Sequence, residues 1–218
     1  MIEAVIFDMD GLLVDSEPVW DSARRWMADS AGKPWSTLDR DAVMGVSTEE
    51  WADYMIDRLE LSPSREEVID AIIGRMAEMY RAGVPYRPGA IEAVDLVARR
   101  YRTAIASGSH PMLIDTVMAD APMRGKFEVV VAADDICAGK PPPDVYLAAA
   151  ERLGVDAGDC VCLEDSGNGI VSGARAGMHV VAVPDPRFPP RAEALAQAQL
   201  VLGSLEELSR EKLGRLAG

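Results

Sequence analysis

Apolar and polar positions change their spacing twice along this chain. Residues 4–7, Ala4-Val5-Ile6-Phe7, are an unbroken apolar run. A strand reads this way when a parallel sheet buries both of its faces. The run stops at two acids two residues apart, Asp8 and Asp10, followed by Gly11. Residues 16–81 then carry apolar positions at helical spacing and no convincing strand. Ser16-Glu17-Pro18 predicts a helix start, with a capping hydroxyl and an early proline. Ser47-Thr48-Glu49-Glu50 and Ser64-Arg65-Glu66-Glu67 both match the capping box. Val68-Ile69, Ile72-Ile73, Met76 and Met79-Tyr80 form a stripe that faces a core. Gly83, Pro85 and Pro88 mark a boundary.

After Gly89 helices and strands alternate. Ala90 to Arg99 predicts a helix, Thr103 to Ala106 a strand that runs into Ser107-Gly108-Ser109, and Met112 to Met118 a helix. Val129 to Ala133 predicts a strand, Asp144 to Leu153 a helix, and Cys160 to Leu163 a strand ending in Glu164-Asp165. Gly169 to Ala176 predicts a helix and Val180 to Val183 a strand. A weak strand over Gln199 to Leu202 and a short helix capped by Ser204 finish the chain. This alternation predicts an α/β fold, a doubly wound parallel sheet. The first strand belongs to the sheet by its character. The helical stretch after it is therefore an insert, which divides the chain into a core, residues 1–15 and 83–218, and a helical domain, residues 16–82.

Composition narrows the function. The 218 residues are 49% hydrophobic, enough for a sizeable core in one or two domains. No apolar run approaches the roughly 20 residues of a membrane span. Residues 1–14 lack the order of a signal peptide, because Asp8 and Asp10 interrupt the apolar stretch. A net charge of −14 argues against nucleic acid and anionic membranes as partners. It also means that any phosphate site must supply its own local positive charge. Cys137, Cys160 and Cys162 form no Cys-x-x-Cys pair. Cys160 and Cys162 alternate on one strand and share a face, and all three read as buried reduced thiols. These features together suggest a cytoplasmic protein.

Four predicted strand ends carry polar groups: Asp8 with Asp10, Ser107 with Gly108, Lys140 in Gly139-Lys140-Pro141-Pro142-Pro143-Asp144, and Glu164-Asp165. Each alone has an ordinary explanation: solvated acids, a turn, a surface lysine, a helix start. In this order behind parallel strands, they fit phosphoryl transfer. A phosphate monoester accepts an attacking carboxylate only when charge is neutralised. Magnesium suits oxygen ligands and commonly bridges carboxylates and a substrate phosphate. Asp8, Glu164 and Asp165 can supply such oxygens, and Lys140 a compact positive charge. The Ser107 hydroxyl and the Gly108 N–H can bind a phosphoryl oxygen.

These motifs resemble the four of the haloacid dehalogenase superfamily of phosphatases: Asp8-Met9-Asp10-Gly11, Ser107 in Ile105-Ala106-Ser107-Gly108-Ser109, Lys140 in Gly139-Lys140-Pro141, and Glu164-Asp165-Ser166. The insert resembles the small cap of the β-phosphoglucomutase-like branch. The resemblance implies that Asp8 is the nucleophile and becomes an aspartyl phosphate. Asp10 would protonate the leaving oxygen and then deprotonate water. Asp8, the Asp10 main-chain carbonyl, and Asp165 with or without Glu164 would hold Mg2+. Ser107 and Lys140 would hold the phosphoryl group. Gly11, Glu17, Trp20, Gly45, Gly108 and Ser109 are further substrate-binding candidates. A mutase needs basic cap groups for a second phosphate, and this chain has Trp20, Met44 and Thr48 at the corresponding places. Asp15 to Asp21 and the Val183-Pro184 to Arg187-Phe188 stretch resemble the bacterial hexitol phosphatase and 2-deoxyglucose-6-phosphate phosphatase group. The implied partner is a small phosphorylated metabolite, a sugar or sugar-alcohol phosphate, and the implied state a monomer or weak homodimer. A phospho-aspartate switch of the receiver type is the reading from another class. It needs neither the insert nor an acid two residues after its aspartate. A dehalogenase has no use for the acids at 164 and 165.

Overall fold

Six parallel strands build one sheet among the described residues: β1 (Ala4–Phe7), β2 (Arg102–Ser107), β3 (Val129–Ala132), β4 (Cys160–Glu164), β5 (His179–Ala182) and β6 (Leu200–Val201). Their order is β3-β2-β1-β4-β5-β6, and every pairing is parallel. The computed structural model describes residues 1–44, 46–133, 136 and 139–217. The chain divides into two compact units, one of residues 1–15 and 84–218, the other of residues 16–83.

In the first unit β1 lies between β2 and β4, with Phe7 level with both Ile105 and Leu163. All four of its residues are buried, which is why it has no polar alternation. The chain winds outward from β1 in one direction and from β4 in the other. The crevice at their carboxyl ends is therefore the place where open α/β sheets bind ligands. Asp8 leaves β1 there and Asp165 follows β4. Connecting segments contain α5 (Ala90–Ala98), α6 (Pro111–Ala119), α7 (Asp144–Leu153), α8 (Gly167–Arg175) and α9 (Ala192–Leu195), and α10 (Arg210–Gly214) follows the last strand, all numbered after the four helices of the second unit. Tyr146, Ala149 and Leu153 of α7 and Ile170 of α8 share a buried cluster with Ala4, Ile6, Cys160 and Cys162 of the sheet. Both cysteines are free and buried, as expected from their alternation. Cys137 lies outside the described residues.

Several boundaries differ from the sequence expectation, each for a local reason. Helix α8 starts at Gly167 rather than Gly169 because the Ser166 hydroxyl accepts the Gly169 N–H at 3.1 Å. Ser204 caps only a single 3-10 turn, Leu205–Glu207. The terminal helix α10 starts later, where the Ser209 hydroxyl accepts the Lys212 N–H. Lys140 is not at a strand end: β3 stops at Ala132, and the lysine sits in the loop before α7, at a cis Lys140-Pro141 bond.

The second unit holds α1 (Glu17–Ser30), α2 (Thr37–Ala42), α3 (Thr48–Leu59) and α4 (Arg65–Ala82). Ser47 and Ser64 form the expected capping boxes with Glu50 and Glu67. Ser16 does not cap with its side chain. Its own backbone is already helical (φ −79°, ψ −27°), whereas a capping hydroxyl needs an extended residue. A third box was not read from the sequence because its acid is Asp39, not Glu or Gln. The buried Asp39 also accepts from Tyr54 and Arg58 of α3, at 2.9 and 2.7 Å. Burial works against that carboxylate, but these donors and Ser36 hold its pKa well below the ordinary range. Val68, Ile72, Ile73, Met76 and Tyr80 bury the predicted stripe of α4. No described helix is long and apolar enough to cross a membrane.

Candidate active site

The carboxyl ends of β1 and β4 bring four charged groups together. Lys140 donates to Asp8 Oδ1 at 2.5 Å and to Glu164 Oε1. Asp8 is 6% exposed and Glu164 fully buried. Tyr146 of α7 donates its hydroxyl to the same Glu164 oxygen at 2.7 Å, and its ring lies under the Lys140 ammonium at 4.9 Å. The main-chain N–H and hydroxyl of Ser166 meet the other Glu164 oxygen at 3.2 and 3.0 Å. Helix α8 secures the lysine's loop, because Ser172 donates to the Pro142 carbonyl at 2.6 Å.

Two glycines make this packing possible. Gly11, at φ +78°, lies so close to Asp165 that a Cβ would stand 2.1 Å from its Oδ2. Gly11 thus makes room for a carboxylate. A Cβ on Gly169 would stand 1.8 Å from the Glu164 carboxyl. Gly169→Ala restores about 1 kcal/mol of helix propensity. Overpacking against a buried, fully hydrogen-bonded acid should remove more, about 1–3 kcal/mol. The expected result is a lower melting temperature together with a turnover reduced more than tenfold, read by thermal unfolding and a phosphate-release assay.

The charges are unbalanced. Burial pushes Asp8 up to about 7, and Glu164 and Asp10 add to the effect against the pull of Lys140. Burial, Glu164 and Asp8 push Asp165 up to about 9. Burial alone would discharge Lys140, but Asp8 and Glu164 outweigh it and raise its pKa above the ordinary value. Asp8, Glu164 and Asp165 each offer an oxygen within 4.8 Å of the others, and Asp165 Oδ1 is buried without a hydrogen bond. An all-oxygen donor set with an unsatisfied buried carboxylate oxygen fits a hard divalent cation such as Mg2+.

The other sequence candidates are placed around this cluster. The Ser109 hydroxyl donates to the Asp10 carboxylate, and the Ser109 N–H donates to the buried Ser107 hydroxyl at 3.1 Å. Ser109 therefore holds Asp10, and Gly108 beside it is exposed. The Asp10 carboxylate is outside the trio of converging acids. Glu17 and Trp20 belong to the helical unit, where Trp20 packs edge-on against Trp51 at 5.9 Å. Gly45 lies outside the described residues. The helical unit also contains a cation that the reading of Trp20, Met44 and Thr48 overlooked. Arg24 is 5% exposed, and its guanidinium lies 4.9 Å from the Trp20 ring and 5.6 Å from Trp51. Burial lowers its pKa to about 10. Tyr146 is a further residue of this cluster that sequence reasoning missed, and Ser166, read there only as the end of the fourth motif, was given no role. Tyr146 lies inside a predicted helix with nothing nearby in sequence to single it out. A usable signal was the run of glycines at 167, 169 and 173 in one short helix, a poor helix sequence unless backbone must approach something closely.

Known proteins share this arrangement of chain. Hexitol phosphatase B of Escherichia coli (strain K12) is 35% identical over 221 residues, 97% of this chain and 96% of its own. A phosphorylated carbohydrates phosphatase of Thermotoga maritima is 32% identical over 178 residues, 81% of this chain and 82% of its own. The crystal structure of CbbY from Rhodobacter sphaeroides in complex with phosphate matches at a TM-score of 0.81 and 27% identity, covering 96% of this chain and 97% of that one. The haloacid dehalogenase-like hydrolase pattern matches residues 2–177, from the start of β1 past the acids of β4 and through α8. The chain belongs to the haloacid dehalogenase-like hydrolases.

Proposed function

We propose that this enzyme is a magnesium-dependent phosphatase of small phosphorylated sugars or sugar alcohols that works through an aspartyl phosphate on Asp8. The observation that carries the reading is Asp8 at the end of β1, held by Lys140 beside the acids that end β4. The relatives named for hexitol and carbohydrate phosphates support the substrate class.

In the first step an Asp8 oxygen attacks phosphorus, and the bond from phosphorus to the sugar oxygen breaks. Asp10 gives its proton to that leaving oxygen. In the second step Asp10 takes a proton from water as the water oxygen attacks phosphorus. The Asp8–phosphoryl bond breaks, and inorganic phosphate leaves. Ser109 holds Asp10 for both transfers. Ser107, Gly108 and Lys140 bind the phosphoryl oxygens, where fixed donors and charge contribute most. Glu164 is already met by Lys140, Tyr146 and Ser166, so its part is to hold the lysine. Asp8, Asp165 and the Asp10 carbonyl remain to hold Mg2+. When bound there, the metal neutralises charge on the phosphoryl oxygens and favours attack by a carboxylate.

The test is inorganic phosphate release from a panel of phosphorylated metabolites, with hexose and hexitol 6-phosphates expected to lead. β-Glucose 1-phosphate with a trace of the 1,6-bisphosphate is the arm for a mutase. Conversion to glucose 6-phosphate faster than phosphate release from any member of the panel would replace the phosphatase reading with the mutase.

A further inference from the structure

We infer that Asp185 is a positioning residue: with Arg87 and Arg187 it clamps the turn that carries Asp10. The inference rests on the role proposed for Asp10. Asp185 follows β5 at the same edge of the sheet as the site and is 4% exposed. It accepts from Arg87 Nη1 at 2.8 Å, from the Arg187 N–H at 2.8 Å, and from the Arg187 Nε and Nη2 groups at 3.0 and 2.5 Å. Arg187 Nη2 also reaches Asp15 Oδ1 at 2.5 Å. Asp185 is the hub, since both arginines converge on it.

Both arms lead to the segment after Asp10. The Arg87 N–H donates to the Leu13 carbonyl at 2.8 Å, and the Asp15 N–H to the Pro85 carbonyl at 2.8 Å. Val14 bridges to Tyr86 on one side and to Asp10 on the other. Residues 10–15 form a tight turn, with the Gly11 N–H on the Val14 carbonyl and the Val14 N–H on the Met9 carbonyl. A turn without its own helix or strand needs outside support to hold a carboxyl where a proton must pass. Two segments distant in sequence supply it: residues 85–87 through main-chain bonds, and Arg187 through its charge-assisted bond to the partly exposed Asp15, with the buried Asp185 joining the two. The catalytic steps leave Asp185 and both arginines without another task.

The test is the kinetics of Asp185→Asn and Asp15→Asn with p-nitrophenyl phosphate, beside hydrogen exchange at residues 13–15 and 87. Misplacing Asp10 slows proton transfer but leaves Ser107 and Lys140 intact. Asp185→Asn is therefore expected to lower kcat about tenfold, less than the roughly hundredfold that a misplacement of about 1 Å can cost. Inhibition by inorganic phosphate should change less than about twofold, and amides 13–15 and 87 should exchange faster. Asp15→Asn removes one arm and should lower kcat by about threefold. The double variant should be no slower than Asp185→Asn, because both act through one network. A kcat within twofold of wild type for Asp185→Asn overturns the inference. So does a loss confined to melting temperature. Should Asp185→Asn not fold, the partly exposed Asp15 carries the test, and an unchanged kcat there overturns it. A wild-type enzyme that does not hydrolyse the probe counts against the phosphatase reading. The exchange measurement still judges the clamp, which fails if amides 13–15 are unaffected.

Discussion

Asp8→Asn is expected to abolish turnover, by about four orders of magnitude or more, while the protein stays folded. Removing a covalent nucleophile has this effect because the remaining groups cannot divide the reaction into its two steps. The substitution keeps the side chain's shape and its place at the end of β1. It also removes one of three acids crowded around a single lysine. Asp8 is held up at about 7 chiefly by burial, so its charged form is unfavourable in the metal-free fold. The metal-free variant should therefore melt no lower than the metal-free wild type. Turnover within tenfold of wild type would sink the assignment. Acid quenching during turnover should trap a phosphorylated peptide containing Asp8 in the wild type only.

Metal removal should have the second largest effect. Exhaustive chelation is expected to stop phosphate release, and Mg2+ to restore it. Ca2+ should fail to restore it, because its larger and looser coordination misplaces the phosphate. Stability gives a readout independent of activity. Asp8 and Asp165 stand at about 7 and 9 in the metal-free fold, above the ordinary carboxyl value of about 3.9. From about pH 4 up to those values, the folded protein holds protons that the unfolded chain has released. The unfolded state then binds fewer protons, so the metal-free protein loses stability as pH rises through this window. Mg2+ takes the place of those protons. The rise in melting temperature that it causes should therefore be larger at pH 8.5 than at pH 5.5. An equal shift at both pH values, or none, would argue against a metal at these acids.

Much of the fold was legible because it depends on local patterns. The strand Ala4–Phe7 and the run 160–163 of β4 are apolar without alternation, as burial on both faces demands. Helix α7 was read to the residue because Pro143 and Gly154 bound it. The capping boxes at Ser47 and Ser64 depend on neighbours three residues apart. Ser16 failed as a side-chain cap because its own backbone is already helical, which its neighbours in sequence do not reveal.

By itself the sequence determined which residue types stand where β1, β2 and β4 end: the pair Asp8 and Asp10, Ser107, and the pair Glu164 and Asp165. It also singled out Lys140, which the fold places in a loop. Order and spacing were enough for this, since strand and helix periods are local properties. Only the tertiary structure decided how these groups share charge. Lys140 is 132 residues from Asp8 and 24 from Glu164, and it meets both because β1 pairs with β4 and α8 holds the lysine's loop. Gly11 read as part of the first motif and a substrate contact, and Gly169 as the start of a helix, until the acids packed against them came into view. Tyr146 carried no motif, and Asp185 lay in a stretch read only for its resemblance, with no role of its own. Their partners lie on other elements, and hydrogen-bond reach and burial are properties of the packed chain.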